Sequence, residues 1–82
     1  MISEFEMDDP SFEEVLKHIN QATEAGDCKV RVEADGNIKN KKIGRKVKIG
    51  RGNLIMFAHG AAIAYQCGFS FEGNKIIFFE IP

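Results

Sequence analysis

Cysteine is scarce in this chain, and neither cysteine nor histidine occurs at a metal-binding spacing. Cys28 and Cys67 are its two cysteines, too few and too unpatterned for a disulfide scaffold. There is no C-x-x-C or H-x-x-x-H, so a zinc site is not expected. Apolar runs are short, none near the roughly 18 residues of a membrane span. The opening MISEFEMDDP is acidic and lacks the apolar core of a secretory signal. Repeats, linkers and low-complexity stretches are also missing. These absences exclude membrane, secreted-scaffold and zinc-module classes. They leave a cytoplasmic protein with two reduced thiols, no cofactor and no metal.

At 82 residues the chain reads as one domain, 1–82. Its hydrophobic content of 44% is that of a folded protein rather than a disordered one. Residues 1–6 are set aside: Glu4-Phe5 is what a common cloning junction encodes, and Met7 is an alternative start. They are read either as vector-derived or as a native flexible end.

Charge is unevenly distributed. Residues 1–27 hold eight acids and one lysine, whereas residues 28–52 hold nine Lys/Arg and two acids. Either these halves face and neutralise each other, or the basic one meets an external anion. The basic excess peaks in KNKKIGRKVKIGRGN, residues 39–53, with seven basic side chains, no acid and three glycines.

The first element is an amphipathic helix. Phe12, Val15, Leu16, Ile19 and Ala22 recur at helical spacing. Ser11 with Glu14 forms a capping box, Asp9-Pro10 is a further start signal, and Gly26 is a stop. In CKVRVEA, Cys28, Val30, Val32 and Ala34 alternate with Lys29, Arg31 and Glu33, the pattern of a half-buried strand. A turn at 35–37 leads to a second strand over 41–49, with Ile43, Val47 and Ile49 on one face. Arg45 falls on that apolar face unless Gly44 is a bulge. Paired as a hairpin, these strands place Lys29, Arg31, Lys42, Lys46 and Lys48 on one outward face.

Residues 53–67 are apolar almost all round, so periodicity does not decide them. Their four alanines, a capping Asn53 and Gly68 beyond favour a helix. The rival is a meander strand at LIMFAH. The chain ends in a hairpin turning at Gly73-Asn74, with Glu72 opposite Lys75. Phe69, Phe71, Ile76 and Phe78 share one face of it; Ile77, Phe79 and Ile81 share the other. A last strand apolar on both faces is either central or part of an oligomer contact. The architecture expected is α+β, in the order α-β-β-α-β-β: an N-terminal helix on a small antiparallel sheet of four or five strands, with a second helix.

Three surfaces carry candidate chemistry. Lys29, Arg31, Lys42, Lys46, Lys48 and Arg51 suit a phosphate backbone. No aromatic lies between residues 28 and 56, so base stacking is not expected there. The bland alternative is a solvated face whose lysines block edge-to-edge pairing. Ile77, Phe79 and Ile81 are the candidate contact of a symmetric homodimer. Gly50-Arg51-Gly52-Asn53, between a strand and a helix, is a candidate anion loop. Over residues 47–80 this order is similar to the coenzyme-A loop of N-acetyltransferases, where an Arg-Gly-containing loop opens a helix followed by a strand. Leu54 and Met56 stand where that motif has its later glycines. His59 and Cys67, two helical turns apart at roughly 12 Å, are too distant for a nucleophile–base pair, and no catalytic residue is assigned.

The reading is a non-catalytic binding module whose basic strands contact an anionic partner: nucleic-acid backbone first, an acidic protein otherwise. The alternative is a protein-interaction module or small regulator using the apolar last strand. The third reading, which the resemblance implies, is an acyltransferase-like enzyme.

Overall fold

In the computed structural model, which describes residues 2, 4–26 and 29–81, the chain is α+β. The elements are β1 (Phe5–Met7), α1 (Phe12–Ala25), β2 (Arg31–Ala34), a 3-10 turn (Gly36–Asn40), β3 (Val47–Ile49), α2 (Leu54–Tyr65), β4 (Cys67–Glu72) and β5 (Lys75–Glu80). The strands form two small sheets, β1-β3 and β2-β5-β4.

Helix α1 starts where its capping residues require. The Ser11 hydroxyl accepts from the Glu14 amide, and the Glu14 carboxylate accepts from the Ser11 amide. Those hydrogen bonds, backbone first and hydroxyl second, hold the Glu14 carboxyl below its usual range. The Phe12 amide, which has no partner within the helix, donates to the Lys41 carbonyl at 2.9 Å. The helix buries Phe12, Val15, Leu16, Ile19 and Thr23. Phe12 stacks on Tyr65 and meets Phe78 edge-on, at centroid distances of 4.4 and 4.9 Å. The Tyr65 hydroxyl donates to the Pro10 carbonyl at 3.1 Å, so this buried phenol keeps a partner.

Within residues 53–67 the segment Leu54–Tyr65 is helix α2 rather than a meander strand. The Asn53 side chain accepts from the Met56 amide at 2.9 Å, capping α2. The end comes earlier than Gly68. Gln66 closes the helix in the left-handed region, at φ 53° and ψ 55°, and Gly68 lies within β4. Lys41 Nζ donates to the Tyr65 carbonyl at 2.8 Å, bringing a cation to the negative end of α2. Glycine adopts the left-handed conformation without a Cβ penalty. Gln66→Gly is therefore expected to raise stability by about 0.5–1 kcal/mol, read as a higher urea midpoint; a lower midpoint would show that the glutamine side chain outweighs the strain.

The C-terminal hairpin has the register the turn demands: Glu72 opposite Lys75, Phe71 opposite Ile76, Phe69 opposite Phe78. Gly73 supplies the positive φ, +60°. Strand β5 is central, parallel to β2 on one side and antiparallel to β4 on the other. Its Ile76 and Phe78 are buried beneath the helices, whereas Phe79 lies on the uncovered face. There the Phe79 ring occupies the space a Cβ on Gly68 would need, 2.8 Å away.

The pairing of 28–34 with 41–49 as a hairpin is corrected. After Ala34 the chain enters the 3-10 turn, whose Ile38 is buried, and the two segments join different sheets. The second strand is also shorter, Val47–Ile49, because Gly44 at φ +73° bends the chain before it. Cys28 lies outside the described residues. The N-terminal end carries structure: Ile2 is buried and exchanges two backbone hydrogen bonds with Gly52, and Phe5–Met7 pairs with β3. Phe5 stacks on His18 of α1 at 3.9 Å.

Candidate anion-binding cleft

The split between the sheets divides the expected basic face. Lys29 is exposed just before β2, and Arg31 opens β2 opposite Lys75. Lys42 sits by the N-terminus of α1, where its charge helps to lower the Glu14 pKa. Lys46, Lys48 and Arg51 cluster at β3 and the loop leading to α2, and the structure adds Arg45 to them. The bend at Gly44 turns Arg45 outward to solvent. Gly44 is the sequence signal for this: its positive φ bends the chain before β3 begins, so Arg45 never joins the apolar strand face.

These four cations border a cleft of about 430 Å³ between β3 and α2. Val47, Phe57, Ala61 and Tyr65 give it an apolar floor, and among the described residues none that lines it is acidic. The volume falls in the ordinary range for small-molecule pockets.

The acidic N-terminal segment meets part of this rim. Lys46 Nζ lies 3.8 Å from Glu6 and 3.7 Å from Asp8, and Glu6 stands opposite Lys48 in the β1-β3 register. Such exposed pairs contribute little, about 0–1 kcal/mol. Among the described residues, Arg45, Lys48 and Arg51 have no carboxylate within 4.0 Å. The charge asymmetry of the sequence is thus partly answered within the chain, and the cleft rim retains unpaired cations. Asp9 acts on the backbone instead. Its carboxylate accepts from the Gly44 amide at 2.9 Å and fixes the bend that presents Arg45.

The Gly50-Arg51-Gly52-Asn53 loop opens α2, but two of the amides at this corner are already committed. The Gly52 amide donates to Ile2 and the Met56 amide to Asn53. The strands flanking α2, β3 and β4, belong to different sheets. With the Gly52 and Met56 amides taken, fewer free N–H groups remain there for a backbone phosphate cradle.

Cys67 is a buried free thiol whose pKa is raised by burial, with Lys41 opposing. Its environment disfavours the thiolate a nucleophile needs. His59 packs edge-on against Phe69 at 5.3 Å. Among the described residues no group of three or more His, Cys, Asp or Glu could hold a metal, and no helix is long and apolar enough to cross a membrane. The homodimer candidates divide: Ile77 is half-buried and Phe79 exposed on the outer sheet face, while Ile81 lies exposed beyond the end of β5.

In comparisons with known proteins, no family model, curated protein or solved structure matches the chain.

Proposed function

We propose that the protein is a small non-catalytic binding module whose cleft rim, Arg45, Lys46, Lys48 and Arg51, contacts the phosphates of a nucleic-acid backbone in a reducing, cytoplasmic setting. The observation that carries this reading is a cleft edged by four cations and, among the described residues, lined by no acid. Clustered Lys and Arg lower the cost of approaching a polyanion by displacing its condensed counterions. The aromatic residues of the cleft, Phe57 and Tyr65, are buried in its floor and present no open ring to a base, so the contact is with phosphate and carries little sequence preference.

Fluorescence anisotropy with generic duplex DNA and RNA tests it. Four phosphate contacts correspond to a log–log salt slope of about −4 on DNA. Lys48→Ala with Arg51→Ala should flatten the slope by about 2 while leaving the fold unchanged, since both residues are exposed. Lys29→Ala should leave the slope as it was, because Lys29 lies outside the cleft. No binding into the high micromolar range at low salt would overturn the reading.

A second reading is favoured by the outer sheet face, where Phe79 is 37% exposed with no helix above it. In that reading Ile77, Phe79 and Ile81 meet a protein partner or a second copy of the chain.

A further inference from the structure

The three-stranded sheet ends on β4, and this edge is not protected. Proteins blunt a free strand edge with lysine, proline, a bulge or a covering element. β4 reads CGFSFE, with no lysine or proline, and its one charge is at the last residue. It runs six residues in unbroken register with β5. Among the described residues no backbone group of Cys67–Glu72 bonds outside that ladder.

The adjacent flank of α2 is apolar as well. His59 contacts Phe69 of β4, and Ile55 and Ile63 stand one turn before and after His59 on the same stripe. Ile55 is 55% exposed, Ile63 79% and Phe71 60%. A helix apolar on all sides is ordinarily covered on all sides.

We propose that the β4 edge and the Ile55–His59–Ile63 stripe of α2 pair with the same surface of a second copy of this chain, joining two three-stranded sheets into one of six. The strand is self-complementary under a twofold axis through Ser70. Antiparallel partners share a face, so this register sets Phe69 against the other copy's Phe71 and Glu72 against its Gly68. No like charges oppose, and aromatic rings meet on the helix side. Ile55, Ile63 and Phe71 expose roughly 300–350 Å² of apolar side chain per copy. With the two strand backbones added, the contact reaches the ~1,000 Å² that marks a specific interface. This surface is separate from the cationic cleft, so the proposal stands or falls without the nucleic-acid reading.

Light scattering on the full chain in the high micromolar range is expected to give twice the 9.2 kDa chain mass. Phe71→Lys should return the monomer mass with an unchanged circular dichroism spectrum. The Ser70→Cys variant, made together with Cys28→Ser, reads the register directly. Facing Cβ atoms in an antiparallel pair lie about 4.5–5.5 Å apart, within a small adjustment of disulfide reach. Mild oxidation should therefore link two chains through the introduced thiols. A monomer mass at every concentration would overturn the proposal. So would a dimer that persists in Phe71→Lys, fails to cross-link and dissociates in Phe79→Glu, which would assign the contact to the outer sheet face.

Discussion

The Phe78→Ala variant is expected to lose about 3–5 kcal/mol of stability, the usual range for deleting a buried aromatic ring. Phe78 has 0% exposure and lies on the central strand β5. Its ring meets Phe12 of α1 at 4.9 Å, Phe69 of β4 at 5.8 Å and Phe57 of α2 at 6.2 Å. It is therefore the point at which both helices and the hairpin touch one side chain. Little can collapse into the space it leaves, because the neighbouring rings are held by separate elements. A domain of this size has about 4–12 kcal/mol of stability in total, so the variant approaches the unfolding threshold. In urea, at an m-value of about 1 kcal/mol/M for a small domain, the midpoint should fall by roughly 3 M or disappear. Phe71→Ala, on the same face of the same hairpin but 60% exposed, should cost under about 1 kcal/mol in the monomer. Equal losses from the two substitutions would contradict the burial on which the fold rests.

What could be read from the sequence follows the range of the interactions. Helix α1 was legible because Ser11 and Glu14 cap it within one turn, and the hairpin because Gly73-Asn74 sets its register locally. The helix over 53–67 was half-legible: Asn53 marks its start, but an all-apolar stretch has no face to give its period. The partner of β2 was not legible. Alternation shows that residues 30–34 form a strand; it says nothing of whether the strand pairs with the next segment or with β5, which lies more than forty residues on. In the structure the Asp35 amide continues the bonding to β5 by donating to the Phe78 carbonyl, and the turn that follows buries Ile38 instead of reversing into a hairpin. β1 is too short to announce itself: Phe5 and Met7 alternate with Glu6 as a strand should, but three residues carry no period, and their partner β3 lies some forty residues on. The cleft was legible in its charges and not in its shape. Lys46 and Lys48 are legible as alternate positions of one strand and Arg51 as the cation of the glycine loop, whereas Arg45 depends on the backbone at Gly44. Lys29 and Arg31 join them only through a hairpin that does not form, and Lys42 only through a strand that in fact begins at Val47. Some groupings depend on side chains that join distant segments, and no periodicity reports those.

Asn20 is such a side chain. It lies in α1, and its carboxamide bonds the free edge of β2 on both sides: Nδ2 donates to the Val32 carbonyl and Oδ1 accepts from the Val32 amide, each at 2.9 Å. The amide thus serves as the missing strand partner, closing the edge of the sheet opposite β4. Asn20→Asp keeps the acceptor and removes the donor. At neutral pH the carboxylate then faces the Val32 carbonyl, whose residue is buried. The lost bond and the unpaired carbonyl together should cost about 2–3 kcal/mol. Protonation restores an O–H that can donate to that carbonyl. The folded state therefore favours the neutral acid, and the introduced group's pKa in the folded protein is raised above its unfolded value of about 3.9. A raised folded pKa contributes stability that is fully present below the unfolded value and is lost as pH rises through the folded one. The gap to the parent protein should accordingly be small near about pH 3 and reach its full size by about pH 7. Asn20→Ala has no proton to gain, so its gap should stay flat across the same range. Urea midpoints of the three proteins measured against pH separate these outcomes. A deficit in Asn20→Asp that does not vary with pH would mean that its carboxylate turns to solvent, and that the paired bonds of Asn20 do not hold α1 to the edge of β2.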